Sequence, residues 1–550
     1  MLLKKENSNL FNKVSISAII LISILYFSII IYKRPWVDCD LLEGIFSLNN
    51  YINGLGFNQS ITIDSQNKIT SGLLSYWAPG QYVYPYLVSK LLHINIANAM
   101  IITNILFLIS GFWCYYLLLK HFKFCDKIIL ASIFILVAQR FFSGLLLKMY
   151  AVDMYLMVFS TMSILLFEKY FNSSKNTQRA FYLLLILLVS LGGLFTKNSY
   201  LLFIVFSSIG YFSFYMIKYL KQRSATVDKV IRSAFPGAMG LIACLLFYFF
   251  YYSQGRIPFD KRYSPVSNEF TLLKIANVII KPITETLGSS FTFDALLLRI
   301  PSPTHSYFAF TSDFTWQGII GSILIIVPLV HIIYRYFKAG SNKIFSHLTI
   351  TLILGYTAFF AISIIKQTDV YAEDRLFLPM ILFVLPIYLS ALLEKHYTKY
   401  IIIGYTIVSL IFSTFAIANT WKYYNKSSVI HRNDIISGFM IHSETDDFSE
   451  LKQIGEILNT KYSKNNILIA KSKEQFLLTQ TNLLAIPKEM KSSNDIDSLL
   501  TLNSVFFNKK NISMVSIVTN STTPLEKTKS ELIEEVKFKK YNLYVFRVRK

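Results

Sequence analysis

Runs of about twenty apolar residues recur along this chain, near residues 14–32, 95–119, 128–147, 150–167, 181–196, 199–217, 233–253, 316–334, 346–365, 376–393 and 400–420. A bilayer core about 30 Å thick is crossed by a helix of about that length, and a helix satisfies its own backbone hydrogen bonds in hydrocarbon. The expected fold class is a polytopic α-helical membrane protein with about 11 transmembrane helices. Only 16% of the residues are charged, against roughly 25% in soluble domains, which excludes a single soluble globule. The 46 Phe and 35 Tyr exclude disorder, because they can bury more surface than ordering the chain costs. Cys39, Cys114, Cys125 and Cys244 show no paired spacing, so neither a disulfide framework nor a zinc site follows.

A net charge of +22 would suggest nucleic acid in a soluble protein, but here topology accounts for much of it. With the N-terminus inside, the segments 1–13, 120–127, 168–180, 218–232, 335–345 and 394–399 are cytoplasmic and hold 19 Lys and Arg. The short outer connections hold only Lys148, Lys197, Lys366 and Arg375, so the positive-inside rule supports this orientation. The first run is too long for a signal-peptide core and is followed by Lys33-Arg34-Pro35-Trp36, which we read as a retained helix. A multi-pass protein of a bacterial plasma (inner) membrane is expected, with the bilayer and no nucleic acid as its partner.

Three long segments then lie outside: 33–94, 254–315 and the tail from about 421. Short inner loops with large outer ones place recognition or chemistry on the outer face. We divide the chain into a transmembrane domain, 1–420, and an extracytoplasmic α/β domain, 421–550. In the tail a helical spacing over Leu451–Leu458 precedes strand-like runs at 466–470, 483–486, 512–519 and 543–548. It has no repeat, Gly-rich phosphate loop, nucleotide fingerprint or metal-ligand spacing, which disfavours a soluble domain using nucleotide sugars.

Ionisable groups at membrane depth or a helix mouth are expensive and therefore informative. Asp38 and Asp40 follow the first span, ahead of an amphipathic stretch through Phe46, Leu48, Tyr51 and Ile52. They suit an interfacial helix carrying carboxylates, and equally a helix N-cap. Asp153 opens the fourth span, where a carboxylate also suits the helix dipole. The topology brings all three to one face. Lys148, Lys197, Arg256, Lys261, Arg262, Arg299, Lys366 and Arg375 collect on that side. Singly each snorkels to headgroups; together they suit an anionic lipid phosphate, and a carboxylate beside them suggests transfer from such a lipid with a general base. The segment from Trp77 to Lys90, with Tyr82, Tyr84 and Tyr86, is explained by an aromatic belt and is compatible with stacking on sugars. His305 in the second large loop suits a phosphate or hydroxyl partner, or a solvated loop position.

This ordered set resembles the GT-C superfamily of integral-membrane glycosyltransferases, which includes protein O-mannosyltransferases, aminoarabinose transferases of lipid A and arabinofuranosyltransferases. The resemblance spans nearly the whole chain. It lies in Asp40 followed by Asn50-Tyr-Ile-Asn-Gly54-Leu-Gly56-Phe57, in Tyr82-Val-Tyr-Pro85-Tyr86 before the second span, and in Asp153. It continues in Leu191-Gly-Gly-Leu-Phe-Thr-Lys197, Asp374-Arg375-Leu-Phe-Leu-Pro379 and the α/β tail ending near Arg549. Where relatives often carry adjacent acids this chain has Asp38-Cys39-Asp40, and the spacing to Asn50 favours Asp40 as the base.

The resemblance implies inverting transfer of a sugar from a polyprenyl-phosphate donor to a hydroxyl of a glycan, lipid or protein. Asp40, with Asp38, would take the acceptor proton, and Asp153 would position acceptor or base. Lys197, Arg256, Arg262 and Arg375 would hold the leaving phosphate, with Tyr82 and His305 as further substrate contacts. No cofactor is required, and Asp-x-Asp alone does not indicate a metal. The competing readings are a polysaccharide polymerase or ligase using lipid-diphosphate glycans, a lipid or glycan transporter, which would show repeats and mid-span polar groups, and a membrane scaffold.

Overall fold

A computed structural model describes residues 39–57, 59–64, 66–73, 78–138, 152–252, 329–334, 343–365, 377–392, 435–436, 439–440, 448–470, 483–487, 493–520 and 530–548, with single helical positions within 16–31, at 336 and within 404–418. The described helices are α1 (Cys39–Ile52), α2 (Gly80–Leu92), α3 (Ile96–His121), α4 (Asp126–Ala138), α5 (Val152–Asn172), α6 (Asn176–Thr196), α7 (Tyr200–Lys221), α8 (Val227–Tyr252), α9 (Lys343–Ile365), α10 (Leu378–Leu392), α11 (Phe448–Lys461), α12 (Ser493–Leu502) and α13 (Ser504–Lys509). The strands are β1 (Gln59–Ile63), β2 (Ile69–Leu73), β3 (Ile435–Ile436), β4 (Phe439–Met440), β5 (Asn466–Ala470), β6 (Leu483–Pro487), β7 (Met514–Asn520), β8 (Leu532–Lys537) and β9 (Tyr541–Arg547). They form two compact units, one from residues 1–31, 104–247 and 260–422, the other from 32–103, 248–259 and 423–550.

The first unit is a helical bundle. Six described helices are long and apolar enough to cross a membrane, over 96–121, 153–172, 176–196, 200–221, 227–251 and 343–362. The chain is a multi-pass membrane protein. The runs expected at 128–147 and 376–393 are helical over α4 and α10. Those at 14–32, 316–334 and 400–420 lie largely outside the described residues. Helix α6 starts at Asn176, ahead of its apolar run, because Thr177, Gln178 and Arg179 continue the helix beyond the apolar stretch.

Prolines inside two of these helices show how the bundle handles the backbone. A proline lacks the N–H that would bond the carbonyl four residues earlier. For Pro386 that carbonyl belongs to Leu382, and the Tyr115 hydroxyl of α3 donates to it at 2.9 Å. For Pro236 it belongs to Arg232, and the Tyr170 hydroxyl of α5 donates at 3.0 Å. Each orphaned acceptor thus becomes a cross-helix tie.

The second unit is built on a seven-stranded sheet of order β2-β1-β6-β5-β7-β9-β8. Strands β1, β6, β5 and β7 run parallel, and antiparallel partners close both sides. The four strand runs and the helix expected in the tail are β5, β6, β7, β9 and α11. Buried Leu451, Ile454 and Leu458 give α11 its apolar face at helical spacing. Ile61, Ile63, Ile467, Ile469, Val515 and Phe546 form one layer of the core with Ile496, Leu499 and Phe507 of α12 and α13.

Two of the seven strands come from residues 59–73, which the division at residue 420 places with the transmembrane domain. The sheet therefore crosses that division. Its ties are specific: the Asn503 side chain accepts from the Ile69 N–H at 2.7 Å and donates to the Asn67 carbonyl at 2.8 Å. Lys510 Nζ donates to the Gly54 carbonyl at 2.9 Å. Asn67 takes a left-handed φ of 61° in the β1–β2 turn, which Asp64 closes by accepting from the N–H groups of Gln66 and Lys68.

Candidate functional site

Helix α5 opens at Val152, so Asp153 lies in its first turn, where the helix dipole favours a carboxylate. Its residue is 1% exposed. The side chain is ion-paired with Lys197 Nζ. Lys197 terminates α6: its N–H donates to the Gly193 carbonyl at 2.9 Å and its carbonyl accepts from Tyr200 N–H at 3.0 Å. The backbone of the short turn into α7 therefore fixes where the lysine stem begins.

The glycines before Lys197 let three helices converge on this pair. A Cβ at Gly193 would lie 2.1 Å from the Tyr200 ring, and one at Gly192 would lie 2.6 Å from the Phe159 ring. In the space so left, the Tyr200 hydroxyl donates to the Phe159 carbonyl at 2.9 Å and lies 2.8 Å from Ser163 Oγ. On the adjoining turn of α5, Tyr155 stacks on Phe107 with centroids 4.0 Å apart and donates to Asn104 at 2.5 Å. The acid is buried and the cation is partly open, with side-chain exposures of 2% and 18%.

Asp40 stands in the first turn of α1. Helical register puts Gly44 and Ser47 on its face, one and two turns on. The helix ends in a Schellman stop: Leu55 N–H donates to the Asn50 carbonyl at 2.9 Å, Gly54 N–H to the Tyr51 carbonyl at 3.1 Å, and Gly54 has φ +89°. The Asn-x3-Gly-x-Gly pattern is thus a helix terminator that needs its first glycine. Gly44 meets α2, since a Cβ there would lie 2.7 Å from the Tyr82 ring and 3.0 Å from Gln81 Nε2. Tyr82 is 2% exposed, and burial, then Tyr251, hold its phenol well above the usual range. The Tyr82 hydroxyl, Gln81 Nε2 and Ser47 Oγ are buried and make no hydrogen bond. A serine and a glutamine in an amphipathic stretch give no sequence signal of this kind, because solvated faces carry the same residues.

The structure thus brings Asp153 to Lys197, and Tyr82 to the face of α1 that position 40 opens. It adds Ser47 and Gln81. Asp38, Arg256, Arg262, Arg375 and His305 lie outside the described residues, and of Asp40 the backbone alone is described. A second buried acid, Glu168 at the far end of α5, accepts from Tyr211 at 3.0 Å and lies 3.4 Å from His121 Nε2. That acid is fully engaged in joining α3, α5 and α7. Among the described residues no group of three or more His, Cys, Asp and Glu could hold a metal ion. A cavity of about 380 Å³ between α7 and α8, lined by Leu201, Val205, Phe212, Leu241 and Cys244 among others, is apolar and holds no acid or base.

No family model matches the chain, and no curated protein matches it. Among solved structures it is similar to ArnT from Cupriavidus metallidurans in the apo state, with a TM-score of 0.37 and 10% identity over 97% of this chain and 98% of that one. It is also similar to the arabinofuranosyltransferase AftD from Mycobacteria, with a TM-score of 0.36 and 10% identity over 94% of this chain, which spans 42% of that chain.

Proposed function

We propose that this protein is an integral-membrane glycosyltransferase that moves a sugar from a polyprenyl-phosphate donor to an acceptor hydroxyl at the outer face of the membrane. The observation that carries the reading is the buried Asp153–Lys197 pair at one end of a bundle of apolar helices. An ionisable pair at such a place is costly to bury and marks a functional mouth. The sequence set that runs from Asp40 through the Asn50–Gly56 pattern to Tyr82 supports it independently.

In this reading Asp40, with Asp38 beside it, takes the proton of the acceptor hydroxyl as its oxygen forms the new bond to the anomeric carbon. The bond from that carbon to the phosphate oxygen breaks on the opposite side, inverting the centre, and polyprenyl phosphate leaves with the electron pair. Arg256, Arg262 and Arg375 hold the leaving phosphate, where fixed cations stabilise the charge that develops. Lys197 is assigned a different part from the one its type suggests: it orients Asp153, which in turn positions the acceptor or the base. The acceptor is a glycan, lipid or protein of the cell envelope, and the reaction requires no cofactor or metal.

The test uses membranes carrying the wild-type chain or Asp40→Asn and a panel of radiolabelled polyprenyl-phosphate sugars. The wild type is expected to consume one donor, and the variant to bind it but turn over at least about 100-fold more slowly, the low end for a lost general base. Consumption of none of the donors by the wild type overturns the reading and moves lipid-diphosphate glycans, or transport, ahead of it.

A further inference from the structure

Buried polar groups without partners are few in a native protein, because each forfeits its hydrogen bonds to water and gains none. The seam between α1 and α2 gathers several such groups. Ser47 is 0% exposed, Gln81 7% and Tyr82 2%, and Ser47 Oγ, Gln81 Nε2 and the Tyr82 hydroxyl have no partner among the described residues. The same unit pairs polar side chains elsewhere in its interior. Asn466 donates to Ser516 at 2.9 Å, and Asn503 bonds Asn67, Leu499 and Ile69. The seam therefore has a composition suited to a partner that the described residues do not supply.

The chemistry of that partner follows from the three groups. None is charged: Tyr82 keeps its proton through burial, the amide nitrogen offers two donors, and the serine hydroxyl both gives and accepts. A phosphate would call for a cation or several backbone N–H groups. A set of neutral hydroxyls, each both donor and acceptor, satisfies all three. The Gly44 notch seats the Tyr82 ring against α1, which fixes the direction of its hydroxyl. Register puts Gly44 and Ser47 one and two turns from position 40 on the same helix face.

We propose that the α1–α2 seam is a carbohydrate subsite in which Ser47, Gln81 and Tyr82 hydrogen-bond the hydroxyls of one sugar ring. The ring belongs to the lipid-linked donor or to the acceptor glycan. The proposal deepens the glycosyltransferase reading and rests on it for the source of the sugar, but its geometry stands apart from that reading. It makes these residues determinants of which sugar is accepted, since a site built to bond a hydroxyl rejects analogues that lack it.

The experiment measures binding to the full-length chain in nanodiscs. The probes are polyprenyl-phosphate sugars, polyprenyl phosphate without sugar, and methyl glycosides of the same sugars. Ser47→Ala, Gln81→Leu and Tyr82→Phe are each expected to weaken a sugar-bearing probe about tenfold, the size of one hydrogen bond, and to leave sugar-free polyprenyl phosphate unchanged. Loss confined to the lipid-linked sugars assigns the donor ring, and loss confined to the methyl glycosides assigns the acceptor. Wild-type affinity in all three variants, with a raised melting temperature as an unpaired group is removed, overturns the proposal while donor binding by the wild type keeps the glycosyltransferase reading. Binding of methyl glycosides alone, lost in the variants, supports the subsite and counts against the polyprenyl-phosphate donor. A wild type that binds no sugar-bearing probe overturns both.

Discussion

The helical bundle and the sheet unit differ in where they leave buried polar groups without partners among the described residues. Many buried polar groups of the bundle have a partner on another element: Asp153 has Lys197, Glu168 has Tyr211, Tyr155 has Asn104, and the carbonyls orphaned by Pro386 and Pro236 have Tyr115 and Tyr170. In hydrocarbon no water is at hand, so pairing becomes the glue between helices, and the oxygens left unpaired there among the described residues include single hydroxyls set on three helices, Ser160, Ser208, Ser346 and Thr357. The sheet unit pairs Asn466 and Asn503 in its interior yet leaves Ser47, Gln81 and Tyr82 unpaired in one seam. What sets the seam apart from the scattered hydroxyls of the bundle is that three such groups gather in one place.

The sharpest way to break this contrast is to remove one half of the bundle's ion pair. Asp153→Ala removes the buried carboxylate that pairs with Lys197, whose side chain is 18% exposed. The expected cost is about 3–5 kcal/mol, as for other buried pairs broken on one side. Pairing Asp153→Ala with Lys197→Met is expected to recover most of that cost in a thermal unfolding series. Additive losses instead would mean that the two side chains do not act as a pair.

In the sheet unit the corresponding change is Asn503→Ala, which strips the Ile69 N–H and the Asn67 carbonyl of their partner. The expected loss is about 1–3 kcal/mol. It should be read in hydrogen exchange, where residues 59–73 lose protection before β5 and β7 do. Uniform loss across the sheet would show that the hairpin is not a separately attached element. Smaller still is the removal of one proline-associated tie: Tyr115→Phe or Tyr170→Phe is expected to cost about 1 kcal/mol by thermal unfolding, because each leaves a carbonyl with no donor. A neutral result for both would mean that water reaches those carbonyls.

The smallest effect belongs to an ion pair of the sheet unit that is open to water. Glu534 on β8 is bonded by Lys461 Nζ at 2.7 Å and by the Tyr462 hydroxyl, and these bonds hold its carboxyl below the usual carboxylate range. A depressed folded pKa adds stability above the unfolded value that is lost as pH falls through the folded one. The increment therefore begins to fall as pH drops below the ordinary glutamate value and is gone below the folded one, where a pH series of the wild type and Glu534→Gln should converge. Exposed pairs are screened and worth little, so the gap at neutral pH is expected to be under about 1 kcal/mol. A gap as large as that of Asp153 would erase the distinction between the two units.

Much of the bundle was legible because hydropathy is a local property. Twenty apolar residues specify a spanning helix whatever they touch, and the strand runs of the tail alternate or cluster within five to seven residues. The stop of α1 was legible too, since Gly54 supplies the left-handed φ that a Schellman turn requires. Asp153 and Lys197 each stood out as ionisable residues at a helix mouth. Their pairing did not, because it depends on how closely α5, α6 and α7 approach across Gly192 and Gly193. The structure pairs Lys197 with Asp153, a contact that the sequence reading did not name.

Sequence alone determined that this chain spans a membrane many times, and where its acids interrupt the apolar pattern. Those features follow from the transfer free energy of residues taken a helix at a time. Only the tertiary structure decided that residues 59–73 complete a sheet with strands more than 400 positions away, and that Ser47, Gln81 and Tyr82 meet in a seam without partners. Parallel pairing and buried polar contact depend on distances in space, and nothing in a local window of residues records them.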